Sequence, residues 1–280
     1  MNVKEINVAG INIGKDNPLV LIAGPCVIEE EETCMDIAIE INNITKELDI
    51  PFIFKASYDK ANRSSINSYR GPGLKKGLSI LKKIRNKLHI PITTDVHCIN
   101  EVKKVAKIID IIQIPAFLCR QTSLIFEAAK TKKTINVKKG QFLSPHDMKN
   151  IIHKINSVGN FNILITERGT SFGYHNLVVD FRGIPIMQSF GYPIVFDATH
   201  SVQLPGALEN SSSGEKEFVS YLSKAAVAVG CNALFLEVHK NPQKALCDNA
   251  NMVNLEELYI LLKEIKSLYN LVQSFNSIKQ

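Results

Sequence analysis

Eight short apolar runs recur along the chain, and the intervals between them leave room for a helix. The runs are LVLIAG (19–24), PFIFKA (51–56), PITTDV (91–96), IIQIPA (111–116), TINVKK (134–139), NILITE (162–167), PIVFDA (193–198) and ALFLEV (233–238). Each run is rich in Ile, Val, Leu or Phe and is too short for an ordinary helix. Continuous apolar runs of this length are typical of strands covered on both faces, as in a parallel sheet.

Amphipathic segments lie between these runs and after the last one. They span residues 31–48, 75–88, 99–108, 121–131, 147–158, 215–230 and 255–274, and the connection 168–192 is less clearly helical. Eight strand-then-helix units predict an α/β fold of the (β/α)8 TIM barrel type, with a doubly wound open sheet as the alternative. The alternating stretch from Ile6 to Gly14 predicts an N-terminal β-hairpin, within residues 1–15, that caps the barrel bottom.

The size and composition agree with one large domain. The chain has 280 residues and is 45% hydrophobic, and a single α/β barrel commonly uses about 250 residues. No Pro/Gly/Ser-rich linker divides the chain, so we predict one domain over residues 1–280. The net charge is +6 and Trp is absent. Because Lys and Arg are dispersed rather than clustered, we expect no nucleic-acid partner.

The sequence also predicts a cytoplasmic protein without a membrane segment. The N-terminal stretch MNVKEINVAG has no apolar core of a signal peptide, and no run approaches ~20 apolar residues. Six cysteines are scattered along the chain without a close pair. In a cytoplasmic protein they are expected to be buried thiols or single ligands rather than a disulfide framework.

Polar residues follow the apolar runs at the points where the strands should end. They are Cys26, Lys55, Asp95, Gln113 with Ala116, Lys138, Glu167 with Arg168, Asp197 with His200, and Glu237 followed by Asp248. In a (β/α)8 barrel the C-terminal ends of all strands meet at one mouth, where active sites lie. We therefore expect one pocket with several cations and a possible metal-binding cluster.

Four cations should converge across this mouth: Lys55, Lys60, Lys138 and Arg168. Like charges that are held together repel unless an anion neutralises them, so the expected ligand is a multiply charged phosphate or carboxylate. Arg63 and Ser64 lie further along the same loop and could hold a second phosphate, since guanidinium and hydroxyl groups suit phosphate oxygens. The alternative is that these are ordinary surface residues.

The candidate metal ligands are a thiol, an imidazole and two carboxylates, from Cys26, His200, Glu237 and Asp248. Such a set suits Zn²⁺, Fe²⁺ or Mn²⁺, but its spacing matches no metal-binding motif. A single Cys after Gly-Pro is more often a packed thiol, and His200 could be a hydrogen-bonded structural histidine. The expected structural cysteines are Cys34, Cys98, Cys119 and Cys231. His239 and Cys247 lie near the proposed site, and their role stays open.

These residues stand within longer stretches that resemble a known family. The stretches include AGPCVIE (23–29), FKASYDKANRSS (54–65), IIQIPAFLCRQT (111–122), FDATHSVQLPG (196–206) and LEVHKNP (236–242), in order over most of the chain. With them the chain resembles the 3-deoxy-D-manno-octulosonate 8-phosphate synthases, within the enolpyruvate-condensing aldolase superfamily. KANRSS is a discriminating piece, because the sister synthase that uses erythrose 4-phosphate has a different loop there.

The resemblance implies a reaction and a set of roles. Family members are transferases that condense phosphoenolpyruvate with D-arabinose 5-phosphate, release inorganic phosphate and supply a lipopolysaccharide precursor. It implies that Lys55, Ser57 and Lys60 bind the enolpyruvate carboxylate side. It further implies that Gln113, the Ala116 backbone, Lys138 and Arg168 surround the phosphate of that substrate. Arabinose 5-phosphate is then expected at Asn62, Arg63 and Ser64, with a neighbouring subunit of a homotetramer completing this subsite.

The family has metal-dependent and metal-independent branches, and the metal-independent branch has Asn where Cys26 stands. With Cys26, His200, Glu237 and Asp248 present, the chain resembles the metal-dependent branch. Family members usually have Gly after the last aspartate, where this chain has Asn249. Because Asn tolerates positive φ better than most residues, we expect the loop to retain its course.

The expected chemistry joins C3 of phosphoenolpyruvate to the aldehyde carbon, followed by water addition at C2. Asp95 and His200 are candidates for proton handling near the reacting carbons. Lys138 is the third candidate catalytic residue, and an imine on it would instead define an ordinary Schiff-base aldolase. Two other functions stay open: the related erythrose 4-phosphate synthase, and a non-catalytic barrel that binds sugar phosphates.

Overall fold

The computed structural model describes residues 3–63, 65–205 and 213–277, and all structural statements refer to these residues. In chain order the strands are β1 (Ile6–Val8), β2 (Ile11–Ile13), β3 (Val20–Gly24), β4 (Phe52–Lys55), β5 (Ile92–Asp95), β6 (Ile111–Ile114), β7 (Thr134–Lys138), β8 (Ile163–Glu167), β9 (Thr170–Ser171), β10 (Leu177–Val178), β11 (Ile194–Asp197), β12 (Gln203–Leu204), β13 (Ser213–Gly214) and β14 (Ala233–Glu237). The helices are α1 (Glu31–Glu47), α2 (Leu74–Leu88), α3 (Ile99–Ala106), α4 (Thr122–Lys130), α5 (Met148–Asn156), α6 (Gly183–Gln188), α7 (Phe218–Val229) and α8 (Leu255–Ser277).

Within the described residues, eight parallel strands close into a barrel in the order β11-β14-β3-β4-β5-β6-β7-β8. These are the eight apolar runs of the sequence, each within one or two residues of its predicted bounds. The helices surround the barrel, so the predicted (β/α)8 fold is confirmed and the open sheet is excluded by the closing pair β11·β8. That residues 1–280 form one domain stays a prediction.

The N-terminal hairpin closes one end of the barrel, as predicted. Its strands β1 and β2 pair with Ile6 opposite Ile13. Ile6, Val8 and Ile13 belong to the same buried cluster as Val20 and Phe235, which lie on barrel strands. These contacts bury apolar surface, the main favourable term in folding. With this end plugged, the opposite end is available for the site.

The side chains of each barrel strand alternate between two apolar layers, as strand geometry requires. Leu164 of β8 packs inside the barrel with the hairpin. Its neighbour Ile165 packs outside, in the larger cluster between strands and helices. Both layers are apolar, which explains why the sequence runs are continuous rather than alternating. The described helices contain no segment long and apolar enough to cross a bilayer.

The predicted helices are also present, with bounds that differ by one to three residues. The connection 168–192, which the sequence left unclear, contains the short hairpin β9–β10 and the six-residue helix α6. Leu177 pairs with Ser171 in this hairpin. The hairpin lies directly after β8, so it stands beside the mouth of the barrel.

Candidate active site

A cavity of about 270 Å³ opens at the C-terminal ends of the barrel strands. Its lining includes the predicted residues Lys55, Lys60, Asn62, Arg63, Asp95, Gln113, Ala116, Lys138, Arg168, His200, Glu237 and Asp248. Ser57 and Cys26 are fully buried beside it. Ser64 lies outside the described residues. Five cations in the lining face three carboxylates, so the cavity has excess positive charge and suits an anionic ligand.

Lys55 lies at the end of β4 and is almost completely buried. Its Nζ donates to Glu237 Oε1 at 2.8 Å and to the carbonyl oxygen of Cys26 at 2.9 Å. Lys60 Nζ lies 3.7 Å from the same Glu237 oxygen. Burial alone would raise the pKa of Glu237, but the nearby His200, Lys55 and Lys60 hold it below its usual range. Glu237 is therefore an anion at neutral pH and couples two cations to the metal-ligand candidates.

Lys138 ends β7 and forms an ion pair with Asp197 of β11. Asp197 Oδ2 also lies 2.8 Å from His200 Nδ1, and the backbone N–H of His200 donates to Asp197 Oδ1 at 3.0 Å. Burial lowers the pKa of Lys138, and the positive charge of Lys55 acts in the same direction against the opposing effect of Asp197. Asp197 thus orients both Lys138 and the imidazole, which leaves Nε2 of His200 directed to the other candidate ligands.

Arg168 follows β8 and donates from Nη2 to the carbonyl oxygen of His200 at 3.0 Å and to Gln203 Oε1 at 3.1 Å. Its Nε is buried and has no hydrogen-bond partner among the described residues, and the same is true of Gln113 Oε1. Buried polar atoms are rarely left unpaired in native proteins. An Arg donor and a Gln side chain at the same cavity are therefore available to a polar ligand.

The candidate metal ligands come together in two overlapping groups. Cys26, Cys247 and Asp248 form one group, and His200, Glu237 and Asp248 form the other, with ligand atoms within 4.8 Å of one another in each. His200 Nε2 lies 3.5 Å from Glu237 Oε1 and 3.8 Å from Asp248 Oδ2. Cys26 Sγ lies 3.4 Å from Asp248 Oδ2. Asp248 belongs to both groups, so the four predicted ligands lie in one connected cluster, although their spacing in the sequence gave no motif.

Cys26 is fully buried in this cluster, and its Sγ lies 2.9 Å from Cys247 Sγ. Burial, together with the neighbouring Cys247 and Asp248, raises the pKa of the Cys26 thiol well above its usual range. A divalent cation would reverse this effect, because a coordinating thiol is deprotonated outright. The mixed set of sulfur, nitrogen and oxygen donors fits a borderline-soft divalent metal.

The loop that carries Asp248 corrects one expectation from the sequence. The left-handed residue of this loop is Asp248 itself, with φ +46°, rather than Asn249. Aspartate is one of the side chains that adopt this region most readily. The carboxylate of Glu29 accepts from the backbone N–H of Leu246 at 2.8 Å and so holds the loop two residues before Asp248. The loop therefore reaches the site without a glycine at position 249.

Asp95 ends β5 and belongs to a hydrogen-bonded chain that the sequence did not predict. Ser57 Oγ donates to Asp95 Oδ1 at 2.5 Å, and His97 Nε2 lies 2.9 Å from Asp95 Oδ2. Burial would raise the pKa of Asp95, but the hydrogen bond and charge of His97, with the charges of Lys60 and Lys55, hold it well below its usual range. Ser57 thus contacts the cavity through Asp95 rather than lining it.

Arg63 does not stand apart from the strand-end cluster, as its place further along the loop had suggested. Its Nη1 lies 3.0 Å from Cys247 Sγ and 3.5 Å from Asp248 Oδ1. The loop that contains KANRSS therefore folds back over the candidate metal ligands. Asn62 lies beside it in the cavity lining.

Several cavity residues were not among the predicted site residues: His97, Gln141, Gln203 and Cys247 all line the cavity. His97 sits two residues after Asp95, on the same side as strand alternation requires, so this spacing could have identified it. Gln141 lies on a loop and Gln203 in the two-residue strand β12, which is too short for a periodic pattern, so neither carried a signal. Of the cysteines taken as structural, Cys34, Cys119 and Cys231 are buried and Cys98 is exposed.

The fold and the site together define a class: a (β/α)8-barrel enzyme whose mouth combines an anion-binding cavity with a set of metal-ligand candidates. The chain belongs to the DAHP synthetase I family, whose profile matches residues 2–274. The match spans the hairpin, the barrel and most of α8.

Curated relatives agree with this assignment over nearly the whole chain. The chain is 57% identical over 271 residues to a protein from Geotalea uraniireducens, a match that covers 97% of this chain and 100% of the relative. It is 56% identical over 271 residues to one from Geotalea daltonii, with the same coverage. The identity to a protein from Geobacter sulfurreducens is 53% over 270 residues, covering 96% of this chain and 99% of the relative. Each relative is named 2-dehydro-3-deoxyphosphooctonate aldolase.

Proposed function

We propose that the protein condenses phosphoenolpyruvate with D-arabinose 5-phosphate and water to give 3-deoxy-D-manno-octulosonate 8-phosphate and inorganic phosphate. The observation that carries this proposal is the cavity in which five cations surround a cluster of metal-ligand candidates. Two phosphorylated substrates account for that many cations in one mouth. The name of the relatives describes the same product class, and we propose that the product serves as a lipopolysaccharide precursor.

The phosphoenolpyruvate subsite is proposed at the deeper part of the cavity. Lys55 and Lys60 would bind the carboxylate side, where Ser57, predicted to bind there too, would act through Asp95. Lys138 and Arg168 would bind the phosphate together with Gln113 and the Ala116 backbone. The unpaired Arg168 Nε supports the phosphate assignment, because a phosphate oxygen can accept from a buried donor that the described residues leave unpaired.

The arabinose 5-phosphate subsite is proposed at the loop with Asn62, Arg63 and Ser64. Asn62 and Arg63 line the same cavity as the deeper cations. The contacts of Arg63 with Cys247 and Asp248 support a sugar that extends from the candidate metal ligands toward this loop. The loop would thus set the separation between the phosphate of the sugar and the reacting carbons.

A divalent metal, Zn²⁺, Fe²⁺ or Mn²⁺, is proposed at Cys26, His200, Glu237 and Asp248. The donor set supports such an ion, since an imidazole and two carboxylates form one group, and Asp248 links this group to the thiol of Cys26. When bound, the ion would polarise the aldehyde or orient water, as divalent metals do at carbonyl centres.

In the proposed reaction, C3 of phosphoenolpyruvate forms a bond to the aldehyde carbon, water adds at C2, and the bond from C2 to the phosphate oxygen breaks. The aldehyde oxygen gains a proton as the attacking water loses one, and the proton of the new C2 hydroxyl passes to the leaving phosphate, so the proton count balances. Asp95, held as a carboxylate by His97 with its pKa well below the usual range, would orient the attacking water as a hydrogen-bond acceptor, and His200 lies on the opposite wall. Lys138 and Arg168 would stabilise the leaving phosphate, and a well-oriented pair of substrates lowers the barrier by ~7–11 kcal/mol.

The experiment that tests this proposal measures phosphate release from phosphoenolpyruvate by the purified protein. Arabinose 5-phosphate and erythrose 4-phosphate are supplied in parallel, each with and without a strong chelator. We expect release with arabinose 5-phosphate only, loss on chelation, and recovery on addition of a divalent metal. Preference for erythrose 4-phosphate would assign the sister reaction, and release that resists chelation would exclude the metal. No release with either sugar would favour a binding protein.

We also propose a cytoplasmic homotetramer. None of the six cysteines, all within the described residues, forms a disulfide, as expected in a reducing compartment. Exposed aromatic side chains from three loops lie around the mouth, among them Phe117, Phe142 and Phe172. Contact with a neighbouring subunit would bury them near the arabinose 5-phosphate subsite.

A further inference from the structure

Two neighbouring strands, β7 and β8, each end in a pair of charged residues. In each pair, one residue faces the cavity and the other faces away from it. On β7 the outward position after Val137 belongs to Lys139, while Lys138 faces the mouth. On β8 the outward position after Ile165 belongs to Glu167, while Arg168 faces the mouth. Strand alternation therefore sets Lys139 and Glu167 side by side behind the barrel wall.

Lys139 and Glu167 form an ion pair that is almost completely shielded from solvent. Lys139 Nζ lies 3.4 Å from Glu167 Oε1, and the two side chains are 1% and 3% exposed. Lys139 Nζ also donates to the carbonyl oxygens of Leu143 at 3.3 Å and Gly169 at 3.4 Å, and to Thr170 Oγ1 at 3.4 Å. One ammonium group thus joins the loops that follow β7 and β8.

Glu167 in turn shapes the backbone from which Arg168 projects. Its Oε1 accepts from the backbone N–H of Arg168 at 2.9 Å and from that of Gly169 at 2.7 Å. Gly169 has φ +87°, which suits glycine and turns the chain out of the strand. The oxygen that receives both N–H groups is the one that pairs with Lys139, so the pair and the turn form one unit.

Stability alone is a poor explanation for this pair. Removing two charges from water requires several kcal/mol per ion, and well-packed apolar residues often replace a buried ion pair without loss of stability. What apolar residues cannot provide is an acceptor for two backbone N–H groups and a donor to two carbonyl oxygens. The pair therefore fixes the direction of the backbone at the point where a cavity cation begins.

We propose that Lys139 and Glu167 are positioning residues for the anion subsite, holding Arg168 and Lys138 at the separation that a phosphate group requires. This inference rests on the proposed function, in which these two cations bind the phosphate of phosphoenolpyruvate. Neither residue contacts the substrate, and both act through the cations on the opposite side of the wall.

The test compares Lys139→Met and Glu167→Met, which removes the acceptor of the two backbone N–H groups, with the unaltered, metal-loaded enzyme. The variants are expected to raise KM for phosphoenolpyruvate and the dissociation constant for inorganic phosphate roughly tenfold or more, since small misplacements of binding groups have effects of this size. KM for arabinose 5-phosphate is expected to stay within about twofold, because its subsite lies on another loop. Should either single change prevent folding, the double variant Lys139→Met/Glu167→Met leaves no unpaired buried charge and gives the same measurements.

A matched control is Arg85→Met, which breaks the Arg85–Asp110 pair at the opposite end of the barrel, where the two atoms are 2.9 Å apart. It is expected to lower thermal stability without changing either KM. The proposal is overturned if the Lys139 and Glu167 variants lose stability like the control but keep phosphate binding, or if both KM values rise together. Failure of the proposed function would be seen in a different protein, the unaltered one. That protein would then neither bind inorganic phosphate nor release it from phosphoenolpyruvate.

Discussion

Lys138 is the residue whose environment best separates the proposed mechanism from a Schiff-base mechanism. A lysine amine becomes nucleophilic when burial lowers its pKa, and burial does so here. However, Lys138 is held by Asp197, which favours the ammonium form and a role as a phosphate ligand. We predict that borohydride in the presence of either substrate leaves activity and protein mass unchanged. A covalent adduct on Lys138, detected by mass spectrometry, would contradict the proposed role.

His97 is predicted to make stability depend on pH. Burial lowers its pKa, but the hydrogen bond and charge of Asp95 outweigh burial and raise it above the ordinary value of about 6.5. A raised pKa stabilises the fold below about pH 6.5, and this contribution is lost as pH rises through the raised value. In urea unfolding, the free energy of unfolding should therefore decline between about pH 6 and 9. This decline should be smaller in His97→Gln. An equal decline in both proteins would assign the effect to other groups.

At the scale of single residues, the sequence identified side chains by their place at strand ends. That was enough for Lys55, Asp95 and Glu237, because the last residue of each strand is fixed by the strand itself. Gln203 was missed, because it lies in the two-residue strand β12, which is too short to be predicted from a local pattern. Its hydrogen bond with Arg168 depends on a contact between separate loops.

At the scale of elements, α2 packs so tightly that a change favourable to the helix should destabilise the protein. Gly77 lies inside α2, where Ala is ordinarily better by ~1 kcal/mol. A Cβ at Gly77 would lie 2.3 Å from Tyr58 Cβ and 3.2 Å from Tyr58 Cα. Because overpacking costs about 1–3 kcal/mol, we expect Gly77→Ala to lower the free energy of unfolding by roughly 1–2 kcal/mol.

Ser79 provides the control for this prediction, since it lies on the exposed face of the same helix. Ser79→Ala should change the free energy of unfolding by only a few tenths of a kcal/mol, in the stabilising direction. Both values come from denaturant unfolding. A stabilising Gly77→Ala would mean that the loop around Tyr58 yields to the added methyl group.

Long periodic elements were predicted well, and short elements were not. The strands β9 and β10 have two residues each, too few to show any alternation. Helix α6 has six residues and contains Pro185 in its first turn, where a missing N–H is tolerated. The strands β9 and β10 pair with each other, and α6 packs against β8 and β11; these contacts are not visible in a local sequence pattern.

At the scale of the whole molecule, metal binding and folding should be linked. The ligand candidates come from β14, the turns after β3 and β11, and the loop before α8, so only the folded chain brings them together. A divalent metal at a hundredfold its dissociation constant is expected to stabilise the fold by ~2.7 kcal/mol. In thermal unfolding, Cys26→Ser should lose most of the stabilisation that the metal provides. Cys98→Ser, a change at an exposed helix N-cap, should keep it.

If the proposed tetramer forms, the exposed aromatic side chains around the barrel mouth, here called the aromatic rim, should contribute to its assembly. Phe117 is 57% exposed at the mouth, and Phe161 is 53% exposed just before β8, at the opposite end of the barrel. Phe117→Asp should shift sedimentation toward smaller species and raise KM for arabinose 5-phosphate, because a charge at an apolar contact opposes association. Phe161→Asp should do neither. Unchanged sedimentation of Phe117→Asp would exclude this rim as the interface.

The sequence by itself determined the barrel, since eight apolar runs with helices between them have few other ways to bury their surface. It also determined which end of the barrel holds the polar residues, because that end follows from strand direction alone. The tertiary structure decided which of those residues meet. The Asp95–His97 pair, the approach of Arg63 to Asp248 and the buried Lys139–Glu167 pair depend on side-chain directions and on loops from distant parts of the chain. Hydrogen bonds and ion pairs act over a few ångströms, a distance that residue order does not specify.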